Sequence, residues 1–340
     1  MKNKKWIALA AAVVLAVTAL PMGVFAAKKD STEEKLTKVT LNEVAHSIFY
    51  APQYVAIEEG YFAEKGLDLT LVTGFGADKT MTAVISGEAD IGFMGAEASV
   101  YAYQEGATDP VVNFAQLTQR AGNFLVAREE MPDFKWEDLK GEKVLGGRKG
   151  GMPEMVFEYI LKKNGIDPQK DLTIDQSIDF GSTAAAFTSD DSAAYTVEFE
   201  PSATILEKEG AGYVVASLGE ASGYVPYTSY STKASYMKEK PEIIQKFTDA
   251  LQKGMDYVQN HTPEEIAEVI APQFKETDLE TITAIVKRYY DQDTWKENLI
   301  FEKDSFELLQ DILEDAGELT DRTAYENLVQ TEYAQKACKN

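Results

Sequence analysis

The chain has 340 residues and carries 33 Lys and Arg against 56 Asp and Glu, a formal net charge of −23. Such a field repels nucleic acid and anionic lipid, so no nucleic-acid partner is expected. A single cysteine, Cys338, excludes an internal disulfide, and without a histidine nearby it offers no thiolate metal site; no metal or cofactor is expected.

In chain order, Lys2, Lys4 and Lys5 precede an apolar run over 6–20, too short to span a bilayer comfortably, and Val24-Phe25-Ala26 fits the small-residue cleavage rule. Residues 1–26 therefore read as a secretory signal, with an uncleaved anchor as the alternative. Cleavage removes three lysines and takes the charge from −23 to −26. Residues 27–37 are charged and expected to be disordered. The remaining chain is long enough for two lobes of ordinary domain size.

Short β-type runs then alternate with helical ones, which predicts α/β architecture with mainly parallel sheets. Predicted strands cover 38–41, 69–72, 91–94, 111–115 and 124–127, then 143–145, 194–197, 213–216 and 227–231. Predicted helices cover 52–65, 79–86, 96–105, 153–164 and 201–209. A glycine follows each helix (Gly66, Gly87, Gly106, Gly165, Gly210), as a left-handed C-terminal cap requires. From Pro241 the texture becomes nearly all helix. Pro241 opens a helix over 241–259, Thr262 and Glu265 form a capping box, and Asp278, Lys303 and Asp321 begin the later segments. Residues 317–340 form a C-terminal helical tail.

In a doubly wound sheet, ligands bind beyond the carboxyl ends of the strands. The loop after the first strand holds His46, Phe49 and Tyr50, an aromatic-rich stretch that is costly to expose unless something docks there. Phe49 and Tyr50 are able to stack on a flat ring; packing under the first helix is the alternative, more so for Phe49. After the second strand, Gly76 lets backbone N–H groups face a cleft, and Asp78 is a candidate contact or simply a helix cap. Gly95 and Glu97 repeat the strand-end situation, with Glu97 also suited to a helix dipole. At 146–155, Gly151 and Met152 offer backbone donors at a helix start; Pro153 removes one, Glu154 competes with an anion, and Arg148 and Lys149 offset that. Glu198 and Glu200 share one strand face by alternation and suit amino groups of a ligand; a solvated acidic edge is the alternative. Tyr224, Tyr227 and Gln119 complete the candidate ligand-binding residues. No catalytic residues are expected: His46 and His261 lie far apart, and no nucleophile elbow, zinc spacing or phosphate loop occurs.

The segments Phe49–Leu69 (FYAPQYVAIEEGYFAEKGLDL), Gly87–Phe93 (GEADIGF) and Asp138–Val144 (DLKGEKV), in this order behind an export signal, resemble the solute-binding proteins of ABC importers. The similar branch handles thiamine-pyrimidine precursors, aliphatic sulfonates, taurine and nitrate, and the resemblance runs over about 38–317. It implies a periplasmic-binding-protein-like fold of type II, with two doubly wound lobes around a central cleft. One lobe would span 38–126 plus 227–316 and the other 127–226, with hinge crossings near Arg128 and Val225. It further implies an exported receptor, periplasmic or at the extracellular cell surface, that works as a monomer with a small-molecule ligand and an ABC permease. Pyrimidine-precursor binders carry a His-Ser pair where His46-Ser47 stands. Sulfonate binders carry Ser or Thr where this chain has Gly151-Met152-Pro153-Glu154. The enzymatic cousin, a pyrimidine synthase, needs an iron-binding cysteine cluster that is missing here, so a non-enzyme is expected. A lipid-modified cysteine at the signal junction, common among relatives, is missing too. The ligand expected is a small planar nitrogen heterocycle resembling a thiamine-pyrimidine precursor. The alternatives are a sulfonate, taurine or nitrate ligand, or a ligand-sensing module of the same fold.

Overall fold

The computed structural model describes residues 35–178 and 180–339; the expected secretory signal and most of the expected lead-in lie outside them. Among the described residues the strands are β1 (Thr37–Glu43), β2 (Leu67–Thr73), β3 (Ile91–Met94), β4 (Val111–Thr118), β5 (Asn123–Ala127), β6 (Lys143–Leu145), β7 (Thr173–Asp175), β8 (Tyr195–Phe199), β9 (Tyr213–Ser217) and β10 (Thr228–Lys233). The helices of the first half are α1 (Ala51–Glu58), α2 (Tyr61–Glu64), α3 (Ala77–Ser86) and α4 (Glu97–Gln104). Then come α5 (Met152–Lys163), α6 (Thr183–Ser189), α7 (Ser202–Lys208), α8 (Leu218–Ser222), α9 (Ala234–Glu239) and the long α10 (Pro241–Asn260). The chain closes with α11 (Pro263–Ile270), α12 (Leu279–Asp291), α13 (Lys303–Asp315), α14 (Tyr325–Leu328) and α15 (Glu332–Ala337).

Two five-stranded sheets result, ordered β2-β1-β3-β10-β4 and β7-β6-β8-β5-β9. In the first, β1 runs parallel to β2 and β3, and β10 inserts antiparallel between β3 and β4. In the second, β6 runs parallel to β7 and β8, and β5 inserts antiparallel between β8 and β9. The antiparallel strand of each sheet is the one by which the chain has just crossed over. Every residue of β3 and β4 is buried: β3 is central, and the edge strand β4 is covered by bridges to Val329 and Trp295. One hydrophobic core runs through both sheets, from Val39 and Phe114 to Leu125 and Val197. No helix of the described residues is long and apolar enough to cross a membrane.

The chain passes between the sheets at 119–122 and 223–227, and the two passages are tied together. Val225 N–H donates to Gln119 O at 2.9 Å, and the hydroxyls of Thr118 and Thr228 meet at 2.5 Å. The expected boundary after residue 126 falls inside β5, which hydrogen-bonds only to strands of the second sheet. The first passage therefore comes earlier than Arg128. All five cap glycines have the left-handed φ expected of them, between 65° and 85°. The capping box at Thr262 and Glu265 and the Asp278 cap are formed. Three expectations need correction. The helix expected over 52–65 is broken at Gly60, whose φ of 72° starts α2 afresh. Strand β7 and helices α6, α8 and α9 were not anticipated, being three, seven, five and six residues long. The last segment turns helical at Tyr325 rather than Asp321.

Candidate functional site

The loop after β1 forms a single 3₁₀ turn over Ile48–Tyr50, held by Ser47, whose hydroxyl accepts the Phe49 N–H at 3.3 Å. That turn drives Phe49 into the seam between the two sheets. Its ring centroid lies 5.1 Å from Tyr289, 5.2 Å from Tyr50 and 6.4 Å from Phe199. It meets Tyr227 edge-on at 5.7 Å. Residue 122 has to be glycine here, because a Cβ would lie 2.7 Å from the Phe49 ring. Trp295 fixes the turn from the other side by donating its indole N–H to Phe49 O at 2.9 Å. The result is an aromatic cluster with contributions from β8, the second passage between the sheets, α12 and the β1 loop.

Polar groups border this cluster and several lack partners. Tyr227 is 4% exposed, and its hydroxyl has no hydrogen bond. Asn123 is fully buried, and neither Oδ1 nor Nδ2 is paired; it stands opposite Phe199 in the β5–β8 ladder and so shares its face. Glu97 is 4% exposed, with Oε2 unpaired. Burial pushes its carboxyl up to about 7, while its own N–H and that of Met152 favour the charged form. The Glu97 charge is felt by both Tyr50 and Tyr227, whose hydroxyls are raised first by burial. Each unpaired buried polar group costs about 1–3 kcal/mol, which makes this concentration a candidate ligand site.

Glu97 bends back over Gly95, where any Cβ would collide with its carboxylate. Tyr101, one turn further along α4, donates to Met155 Sδ at 3.6 Å, so this face of α4 looks toward the first turns of α5. Burial also pushes Glu154, in the first turn of α5, up to about 7. Its Oε2 accepts the Gly150 N–H at 3.1 Å and its Oε1 accepts Gln176 Nε2 at 2.6 Å. At the start of α5 the Gly150 N–H is thus engaged by a carboxylate of the chain itself, and the Met152 N–H favours the charged form of another, Glu97. On β8, Glu198 is pushed up to about 7 by burial, and its Oε1 accepts the Thr196 hydroxyl at 2.6 Å while Oε2 is unpaired.

Other expected contacts are committed elsewhere. His46 donates from Nδ1 to Glu43 at 2.8 Å and from Nε2 to the Gln273 carbonyl at 3.0 Å, and its ring lies against Phe274. Both partners are acceptors, so the site suits the imidazolium, and the Glu43 hydrogen bond raises the pKa. Glu200 is 3% exposed and accepts Arg288 Nη1 at 2.6 Å, Thr204 N–H at 2.9 Å and the Thr204 hydroxyl at 3.0 Å. Burial still outweighs these partners and holds its pKa above the usual range. Gln119 donates to Asp293 O at 3.1 Å, and the exposed Tyr224 donates to Asp293 Oδ2 at 2.5 Å with Arg120 over its ring. These two hold the crossings rather than face the seam. Gly76, at φ 148°, precedes α3, and Asp78 is exposed in that helix's first turn.

Four residues of consequence were not anticipated. Glu43, wholly buried, accepts from His46, Gln53, Tyr54 and Thr73. Arg288 clamps Glu200 and, at 2.5 Å, Glu207. Asn123 carries no sequence signal beyond being an amide in an apolar run. Phe75 is 76% exposed with φ 57°, between Gly74 and Gly76; an aromatic flanked by glycines at a strand end was a readable signal.

Residues 48–266 match the family described as NMT1/THI5 like. YtlA of Bacillus subtilis (strain 168), named as a candidate binding protein, is 47% identical over 92% of this chain and 93% of its own. The riboflavin-binding protein RibY of Chloroflexus aurantiacus is 25% identical over 68% of this chain and 65% of its own. The structure of the alkanesulfonate-binding protein SsuA from Xanthomonas axonopodis pv. citri, bound to MOPS, superposes with a TM-score of 0.68 at 15% identity, covering 86% of this chain and 98% of that one. With two sheets joined by paired crossings, this is the periplasmic-binding-protein fold, and the chain belongs to the NMT1/THI5-like family.

Proposed function

We propose that the chain is the exported solute receptor of an ABC importer and captures a small, amino-substituted planar nitrogen heterocycle between its two sheets. The observation that carries this reading is the aromatic cluster of Phe49, Tyr50, Phe199 and Tyr227, bordered by the unpaired groups of Tyr227, Asn123 and Glu97. A flat ring gains from aromatic faces and edges. Amino groups on it would donate to Glu97 Oε2, and ring nitrogens would accept from Asn123 Nδ2 or the Tyr227 hydroxyl. The name of RibY, a riboflavin-binding relative, fits a flat nitrogen heterocycle. We take the lobes to follow the sheets, dividing at 119–122 and 223–227. A ligand touching Tyr227 and Glu97 on one side and Asn123 on the other would favour the closed arrangement by its differential contacts there, and a permease would read that closed form. Monomeric action and the absence of catalysis belong to the same proposal.

A thermal-shift panel of aminopyrimidines, riboflavin, taurine, alkylsulfonates and nitrate tests it. A ligand at about a hundred times its Kd adds about 2.7 kcal/mol of stability. A rise in Tm with the heterocycles alone is expected. A rise with sulfonates or nitrate alone would overturn the ligand class.

A further inference from the structure

We propose that Glu97 is the residue that sets ligand charge: its buried carboxylate, on the face of α4 toward the start of α5, excludes anions there and leaves Oε2 to receive a cationic or N–H-bearing group. The inference rests on the seam being the ligand site.

Helix α5 is twelve residues long, and the start of such a helix ordinarily attracts anions through free N–H groups and the dipole. Here that capacity is used internally. Pro153 has no N–H to offer. The Gly150 N–H is held by Glu154 at 3.1 Å; α4 meets α5 through Tyr101 and Met155 at 3.6 Å, and the Met152 N–H favours the charged form of Glu97. The cations that the sequence places nearby do not restore the balance. Lys149 pairs with Glu318 at 3.8 Å, and Arg148 is exposed. An anionic ligand would lose the helix start and, wherever Glu97 is ionised, meet a like charge that is 4% exposed and poorly screened by water. The independent sign of a ligand is that Glu97 Oε2 is buried without a partner. The neighbouring Tyr101 does not fill that role, since its hydroxyl donates to Met155 Sδ at 3.6 Å. Glycine at 95 permits the folded-back Glu97.

The test measures ethanesulfonate and 4-aminopyrimidine binding by calorimetry and thermal shift on wild type, Glu97→Ser, Glu97→Gln and Glu105→Gln. Circular dichroism establishes that each variant is folded. Glu105 lies exposed at the far end of α4 and controls for the loss of one charge. The expected result is that Glu97→Ser binds ethanesulfonate at least tenfold more tightly than wild type or Glu105→Gln. Glu97→Gln, which keeps the shape and removes the charge, binds 4-aminopyrimidine at least tenfold more weakly. Wild type binding the sulfonate as tightly as folded Glu97→Ser would overturn the inference. A gain of sulfonate binding in Glu97→Ser, with no response to 4-aminopyrimidine in any variant, would uphold Glu97 and overturn the heterocycle reading. Equal 4-aminopyrimidine binding by wild type and Glu97→Gln, with no sulfonate gain in Glu97→Ser, would overturn the Glu97 inference alone.

Discussion

Two buried polar regions face each other across the loop that follows β1, and they are built on opposite principles. Around Glu43 every partner is found: the carboxylate accepts from His46, Gln53, Tyr54 and Thr73, and Gln53 in turn accepts from Tyr230 at 2.8 Å. Around Phe49 the polar atoms of Tyr227, Asn123 and Glu97 stand unpaired. A satisfied network specifies structure, whereas an unsatisfied one holds free energy that a ligand can release. The adjacent histidine and aromatics thus divide between two tasks, His46 to holding the fold and Phe49 and Tyr50 to lining the seam.

The comparison breaks most visibly at Glu43. Glu43→Ala strands four buried or half-buried donors at once and is expected to cost about 3–5 kcal/mol, read from urea unfolding. A loss below about 1 kcal/mol would mean that this network holds nothing together. Tyr227→Phe is the opposite experiment. It removes a hydroxyl with no partner, so stability should stay within about 0.5 kcal/mol of wild type or rise. Affinity for the bound heterocycle should drop by about 1–3 kcal/mol, because the ligand then loses that hydrogen bond. A stability loss above about 2 kcal/mol with unchanged affinity would move Tyr227 into the structural class.

This division could not be read from the sequence, for a physical reason. The cap glycines were legible because a left-handed cap is a local conformational demand, met or failed within one residue. The strand alternation was legible because periodicity is local too. Partner choice is not local. His46 finds the Gln273 carbonyl 227 positions away, and Glu200 finds Arg288 88 positions away. The same alternation that put Glu198 and Glu200 on one face gave no sign that α12 would bring a cation to one of them. Strand β7 escaped because Thr173–Asp175 has one aliphatic residue and none fully buried, whereas the equally short β6 carries the buried Val144 and Leu145. The seam's aromatic members Phe49, Tyr50 and Tyr227 were legible as strand-end aromatics, while Asn123 was hidden in a strand that reads as ordinary core.

Titration separates the regions further, with a smaller effect. Glu97, Glu154 and Glu198 are pushed up to about 7 by burial from an ordinary 4.5. The folded state therefore binds their protons more tightly than the unfolded one. Their contribution to stability is fully present below pH 4.5 and is lost as pH rises through about 7. His46 is raised above 6.5, chiefly by its hydrogen bond to Glu43. Its contribution is fully present below pH 6.5 and is lost as pH rises through the folded value. Glu97→Gln should flatten the fall between pH 4.5 and 7, and His46→Asn only the fall above 6.5. Urea midpoints for the three proteins at pH 5, 6, 7 and 8 measure both. A profile for Glu97→Gln parallel to wild type would contradict the burial assigned to that carboxylate.

A small effect on stability, of the opposite sign to that at Glu43, is expected at Phe75. Its ring is 76% exposed, so little apolar area is lost on truncation, yet its φ of 57° is one that a bulky side chain adopts at a cost. The loop is held by backbone alone: Gly74 N–H donates to Glu43 O at 2.8 Å and Gly76 N–H to Val44 O at 3.1 Å. Phe75→Gly relieves about 1–2 kcal/mol of left-handed strain and gives back about 0.4–1 kcal/mol through the freer unfolded chain. The net should be a gain of no more than about 1.5 kcal/mol, within which Phe75→Asn should also fall because asparagine tolerates this region. If instead Phe75→Gly destabilises by more than about 1 kcal/mol, the ring packs against the body of the protein in solution. A stabilised variant that binds its ligand more weakly would show a strained, exposed aromatic kept at a strand end for the ligand's sake, on the unsatisfied side of the comparison and beside the satisfied Glu43 network that anchors its loop.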